Sequence, residues 1–321
     1  MRSKTIFVDD FRQLTLQVFT LGYPSEGEAE VVLLLDGKKP IVTIVTDCYY
    51  DKDNDFHAID EVLNMYGNPS IDAFVWSHPH RDHSVGIVEL LDKFDSRRTA
   101  IVIIPDGIMS MKGVSLVDDT MKYLNDNYFS KDLLYVVGVT NQERRTVAKW
   151  ELYQQRIPTK MPLRLEVLSP MTAKETERIF NLKTVSKNCV NIVYSLNINS
   201  QNYLFCGDLC SNMDEYINEE CLYNVPYLKI PHHASNEPLN FYKKLEKIHL
   251  LNGFGLINVA VTTVKASSDL PNPKVIKEYK KICENVYSTH YGKSPIGAVK
   301  CSYQIQPFGF SSFRIGNAKR M

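Results

Sequence analysis

The chain has 321 residues, 44% of them hydrophobic, enough to bury a large core and to exclude a disordered or fibrous class. Lys plus Arg and Asp plus Glu both number 37, so the formal net charge is zero and the basic excess of a protein that wraps long nucleic acid is missing. Seven cysteines, an odd number with no C-x-x-C pair, point to free thiols in a reducing compartment. Met1 to Asp10 carries charge instead of a signal peptide's apolar run, and no stretch reaches the ~18–20 apolar residues of a membrane span. A cytoplasmic protein without membrane association is expected. The length allows two domains, but layered α/β enzymes reach this size as one, and a single domain over 1–321 is expected.

In chain order, Leu14 to Phe19 alternates as a strand. Val31 to Leu35 and Ile41 to Val45 are two more, joined by the turn-like Asp36-Gly37-Lys38-Lys39-Pro40. Phe56, Ile59, Leu63 and Tyr66 fall at helical spacing, with Gly67 as the helix end. Ala73 to Trp76 is a short buried strand, and Ile87, Leu90, Leu91 and Phe94 mark one face of a helix after it. Ala100 to Ile104 reads as a strand, Met111 to Tyr128 as a helix and Leu133 to Val139 as a strand. The polar segment Asn141 to Pro162, with Arg144-Arg145, reads as a surface loop. Leu163, Leu165 and Val167 alternate again. Strands follow at Ile192–Leu196, Tyr203–Cys206, Tyr227–Ile230 and Ile257–Val264, then a helix over Pro273 to Cys283 and a strand from Val286. This order predicts an α/β protein with two packed sheets and outer helices.

The chemistry is concentrated in Ser77-His78-Pro79-His80-Arg81-Asp82-His83, three histidines and an aspartate within six consecutive positions. Imidazole is the commonest protein metal ligand, and a carboxylate among imidazoles suits zinc or iron better than calcium. The loop lies between a strand and a helix, where open sheets place their sites. Its four ligand-type side chains make two pairs, as a two-metal centre requires. Two later apolar strands also stop at ligand-type residues: Tyr203-Leu204-Phe205-Cys206-Gly207-Asp208, and Tyr227-Leu228-Lys229-Ile230-Pro231-His232-His233-Ala234-Ser235. Three such strand ends can converge on one point. Asp47 is expected either to support the ligand loop or to bind. His57, His249 and His290 are expected to be structural or surface residues, Cys206 and Cys210 packed, and Lys274, Lys277, Lys280 and Lys281 a solvated helix face.

The order H-x-H-x-D-H, then a distant Asp, then a distant His resembles the metallo-β-lactamase superfamily. Within it the chain looks closest to the hydrolase domain of ComEC-type competence proteins, through His232-His233-Ala234-Ser235, Thr46-Asp47, Asn188 to Leu196, Leu270-Pro271-Asn272-Pro273 and Val286-Tyr287-Ser288-Thr289. The likeness spans about residues 12 to 305 and implies an αββα four-layer sandwich. It further implies that His78 and His80 bind metal one and that Asp82 and His83 bind metal two. Asp208 would bridge the ions, and one of the later pair, His233 in preference to His232, would complete metal two. His232 would then either support the ligands from behind or contact substrate, Lys229 would face substrate oxygens, and Asp82 would also orient the attacking water. Three departures stand out: no histidine lies between His83 and Asp208 to complete metal one, Ala234 replaces a glycine, and Gly22-Tyr23-Pro24-Ser25-Glu26-Gly27 replaces a Gly-Gln-Gly-Asp-like turn. Site one would therefore be weak or empty, or completed by water, substrate or Asn188, and the ions would be zinc or manganese.

The resemblance implies metal-dependent hydrolysis, with a phosphodiester in a nucleic acid, nucleotide or phospho-headgroup as the first choice of substrate. Acyl or lactone hydrolysis on the same centre is the alternative. Another is a metal-binding interaction subunit, with a protein partner or a second copy of the chain.

Overall fold

The computed structural model describes residues 1–321 except 24–25, 53–54, 109–114, 141–142, 156–157, 173–186, 211–212 and 290–296. His290 and the start of the 111–128 helix lie outside the described residues. The strands, in chain order, are β1 Arg2–Val8, β2 Leu14–Gly22, β3 Glu28–Asp36, β4 Lys39–Thr46, β5 Ala73–Val75, β6 Ile101–Pro105, β7 Leu134–Val137, β8 Arg145–Gln154, β9 Lys160–Ser169, β10 Val193–Ile198, β11 Gln201–Phe205, β12 Tyr227–Lys229, β13 Ile257–Thr263, β14 Cys283–Thr289, β15 Gly297–Gln304, β16 Gly309–Gly316 and β17 Lys319–Arg320. One sheet has the spatial order β16-β15-β2-β3-β4-β5-β6-β7, the other β1-β8-β9-β10-β11-β12-β13-β14-β17. In the first, β4 through β7 are parallel and the rest antiparallel; in the second, β11 through β14 are parallel, as is the edge pair β1 with β8.

Side-chain alternation assigns the layers. Tyr203, Phe205, Tyr227, Val259 and Val261 join the core cluster that contains Val18, Leu33 and Val45 of the facing sheet. Their alternate neighbours Leu204, Cys206, Leu228 and Ala260 join a second cluster with Phe241 and Leu245 of helix Leu239–Glu246 and Ile276 and Tyr279 of helix Pro273–Ile282. Helices Ala58–Met65 and Ile87–Phe94 cover the first sheet through Ile59, Leu63, Leu90 and Leu91. The result is the αββα four-layer sandwich. Hydroxyl pairs stitch the sheets together, Thr20 Oγ1 with Tyr227 Oη at 2.6 Å and Thr46 Oγ1 with Tyr194 Oη at 2.5 Å, so buried polar atoms cross the interface already satisfied.

One expectation is corrected. Most of the described residues of 141–162 are strand, not surface loop: β8 runs from Arg145 to Gln154 and pairs with β9 from Lys160 onward. Val147, Trp150 and Leu152 face the core while Lys149, Glu151 and Tyr153 face outward, so a half-buried strand carries a polar composition. No disulfide joins any of the seven cysteines. Among the described residues no helix is long and apolar enough to cross a membrane.

Candidate metal centre

The parallel part of each sheet delivers its strand ends to one place. Asp47 follows β4 and Ser77 follows β5, paired in register through Thr46 and Val75. Asp208 follows β11, His232 and His233 follow β12, and Thr263 closes β13. Cross-links hold these ends together: the Asp47 N–H donates to Val75 O at 2.9 Å, the Ile192 N–H to Ser77 O at 2.8 Å and the His232 N–H to Gly207 O at 2.9 Å. Asn191 shapes the turn before Asp208, donating to Cys206 O at 2.8 Å and accepting from the Asp208 N–H at 2.9 Å. Gly207 is required there, since its φ is +48° and an added Cβ would meet Asn191 Oδ1 at 2.3 Å.

Asp208 is fully buried, and its two oxygens face different partners. Oδ1 lies 3.7 Å from His83 Nε2 and 3.6 Å from His233 Nε2; Oδ2 lies 3.6 Å from His78 Nε2. Asp82 Oδ2 closes the first set, 3.9 Å from His83 Nε2 and 3.6 Å from His233 Nε2. His80 Nδ1 is 2.9 Å from His78 Nε2. Two groups of ligand-type atoms that could hold a metal result, Glu28, His83, Asp208 and His233 in one and His78, His80 and Asp208 in the other. Within the first, Asp82 is the better donor than Glu28. Glu28 oxygens approach the far nitrogens, His83 Nδ1 at 3.8 Å and His233 Nδ1 at 3.4 Å, whereas Asp82 faces the Nε2 atoms.

The side chains fit a divalent ion. Both Asp208 oxygens and the Nε2 atoms of His83 and His233 are buried with no hydrogen-bond partner among the described residues, a costly state that bound metal relieves. The outward nitrogens are held: His83 Nδ1 by Asp47 Oδ2 at 2.7 Å, His233 Nδ1 by Thr263 Oγ1 at 2.8 Å, and His78 Nδ1 by Ser77 Oγ at 3.0 Å. Thr263 in turn donates to Glu28, and Ser77 Oγ donates to Asp47 at 2.5 Å. Such outer contacts fix the tautomer and aim the inner nitrogen.

Charges at the centre are out of balance. Four buried carboxylates, Glu28, Asp47, Asp82 and Asp208, face two ammonium groups, Lys229 on Glu28 at 2.9 Å and Lys265 on Asp82 at 2.5 Å. Burial alone would lower the His83 imidazole, but Asp47, Asp82, Asp208 and Glu28 lift it well above its ordinary value. Burial works to raise Asp208 and Asp82, yet neighbouring imidazoles hold both below the usual carboxylate range. His78 is pushed well down by burial, helped by the His83 charge. Burial, helped by the Glu28 charge, pushes Glu30, nearby on β3, well above the usual carboxylate range.

The structure thus brings together His78, His80, Asp82, His83, Asp208, His232 and His233, all singled out from sequence. It does not bring Lys229 to a substrate. That side chain is fully buried between the sheets because Tyr227 and Lys229 share the inward face of β12, and its ammonium is sealed against Glu28. The side chain of Asn188, the expected completion of site one, lies outside the described residues. Glu28 and Lys265 are the functional-site residues missed from sequence. The first opens the apolar run of β3, where a buried acid needs a partner, and that partner is 201 positions away.

The chain holds a candidate metal centre. No family model matches it, and no curated protein does. Among solved structures it is similar to the metallo-β-lactamase fold protein YhfI from Bacillus subtilis, at 10% identity over 88% of this chain and 99% of that one, with a TM-score of 0.38. A metallo-β-lactamase from Cronobacter sakazakii, a HARLDQ motif mutant, gives 11% identity over 82% and 90%, with a TM-score of 0.33. A B3 metallo-β-lactamase with an active-site glutamic acid gives 12% over 85% and 82%, with a TM-score of 0.28. At these low values the functional reading rests on the chain's own side chains.

Proposed function

We propose that the protein is a metal-dependent hydrolase of the metallo-β-lactamase type, using two divalent ions to cleave a phosphodiester. The observation that carries this reading is Asp208, a fully buried carboxylate with two unpartnered oxygens directed at separate histidine groups, as a bridging ligand must be. Asp82, His83, His233 and Asp208 Oδ1 would hold one ion, and His78, His80 and Asp208 Oδ2 the other. Imidazole and carboxylate donors without a thiolate suit zinc and also manganese. Ions held there would supply Lewis acidity and a nucleophile at neutral pH.

The remaining chemistry belongs to the chain. Asp82, nearly buried and paired with the partly exposed Lys265, would orient a water. Lys265 takes the part first expected of Lys229: its side chain is 21% exposed, and its ammonium sits on Asp82 at the edge of the centre. There it can meet an anionic oxygen of the substrate. Charge favours a phosphate ester as well. With neutral imidazoles the four carboxylates outweigh the two ammonium groups by two charges, and two divalent ions turn that deficit into an excess of positive charge, which a phosphodiester anion would offset.

The test is direct. Metal-loaded protein is offered bis-p-nitrophenyl phosphate, single-stranded DNA, an aryl lactone and a chromogenic lactam. Turnover of the phosphodiesters that chelator abolishes supports the reading. Turnover of the acyl compounds alone sinks the substrate assignment, and turnover of none by a fully loaded protein makes it a metal-binding subunit.

A further inference from the structure

His232 and His233 occupy a backbone that residues other than glycine seldom adopt. His232, His233 and Ala234 have φ values of 50°, 51° and 58°, three left-handed residues in succession. Such strain persists only where the surroundings impose it, and it gathers at functional sites. Here the turn is clamped at both ends, by the His232 N–H to Gly207 O at 2.9 Å and the Asn272 N–H to Ala234 O at 3.2 Å. Its effect is to aim two adjacent imidazoles at opposite oxygens of one carboxylate. His233 Nε2 lies 3.6 Å from Asp208 Oδ1, and His232 Nε2 lies 3.9 Å from Asp208 Oδ2.

We propose that the adjacent histidines serve different ions, with His232 as the third imidazole of the His78–His80 site. The sequence between His83 and Asp208 offers no histidine for that place. His232 approaches the same oxygen that His78 faces at 3.6 Å. Metal–nitrogen and metal–oxygen bonds of about 2.0–2.2 Å put tetrahedral ligand atoms roughly 3.3–3.6 Å apart; His232 is near that spacing from Asp208 Oδ2 but lies outside the group of atoms within 4.8 Å that His78, His80 and Asp208 form, so its ring must turn toward those two imidazoles as the ion binds. Its other ring nitrogen, Nδ1, lies 3.0 Å from Glu237 Oε2. The contact is an approach of charge without a hydrogen bond, unlike the bonded oxygens of Asp47 behind His83 and Thr263 behind His233, but it likewise sets a carboxylate beside the nitrogen that turns away from Asp208. The assignment rests on the two-ion reading above and removes its main gap.

The experiment is a zinc titration followed by calorimetry and by elemental analysis of the dialysed protein. It compares the wild type with His232→Asn, His232→Ala and His233→Asn. Asparagine tolerates left-handed backbone, so His232→Asn removes the imidazole while sparing the turn, and circular dichroism confirms folding. The expected result is two ions for the wild type. For His232→Asn and His232→Ala, one site should remain at wild-type affinity while the other is lost or weakened at least about tenfold. His233→Asn should lose the opposite site. A wild type that takes two ions, beside folded His232 variants that also take two at unchanged affinity, overturns the assignment alone. A wild type that saturates at one ion overturns the two-ion reading and the assignment with it.

Discussion

The two halves of the centre are built to different standards. Around Asp208 Oδ1, the residues Asp82, His83 and His233 are at most 3% exposed, and Asp47, Glu28, Thr263 and Lys229 are buried behind them. Around Oδ2 only His78 is buried; His80 and His232 are half-buried, and the Glu237 side chain is 56% exposed. One half is wedged between two sheets, and the contacts behind its imidazoles are made by buried groups. The other opens to solvent through a strained turn. Buried orienting contacts are stronger and less screened than exposed ones, so the first half should bind its ion tightly, and the second should exchange ion, water and substrate.

Several measurements can break or sharpen that contrast. The largest effect is expected at the residue the halves share. Asp208→Asn should empty both sites and lower kcat/KM by more than the roughly 100-fold cost of losing a mere orienting partner, read by elemental analysis and phosphodiester turnover. If one ion and near-normal activity survive, Asp208 does not join the halves.

Next comes the support of the buried half. Lys229→Met leaves the Glu28 charge unpaired between the sheets, which should cost about 3–5 kcal/mol of stability by urea unfolding. A raised KM with unchanged stability would return Lys229 to substrate binding. Asp47→Ala should weaken the ion at His83 by about 10–100-fold, whereas Glu237→Ala should weaken the other ion less, because its carboxylate is already wet. Equal losses would erase the distinction.

Acid should separate the halves in the same sense. His83 is held well above its ordinary pKa, so below that raised value it carries a proton that metal must displace. The affinity of the buried half should then fall as pH falls, by up to about tenfold per unit for one displaced proton. His78 is held well below its ordinary value and brings no such dependence near neutral pH. Parallel pH profiles at the two sites would contradict this. The smallest effect belongs to the rim: Lys265→Met should raise KM for bis-p-nitrophenyl phosphate about tenfold, a value typical of one charge-assisted contact, and leave a neutral ester unaffected.

Much of this was legible in the sequence because metal ligands gather locally. His78, His80, Asp82 and His83 occupy one loop, and Asp208 and His233 each end an apolar strand, so pattern and chemistry coincide. What stayed hidden depends on pairing between distant segments. Glu28 and Lys229 meet only because β3 and β12 face each other across the sandwich, and Lys265 reaches Asp82 from 183 positions away. The split of His232 and His233 between two oxygens is a property of backbone dihedrals that residue identity does not announce. The strand β8 was hidden for a simpler reason: its solvent face supplies the polar residues that made 141–162 look like a loop.

A crystal of zinc-loaded protein, measured at the metal's absorption edge, addresses the shared carboxylate most directly. Two anomalous peaks about 3.5–4 Å apart on either side of Asp208 are expected, one against Asp82, His83 and His233 and one against His78 and His80. Peaks away from Asp208, or none at full zinc loading, would contradict a centre built on that residue.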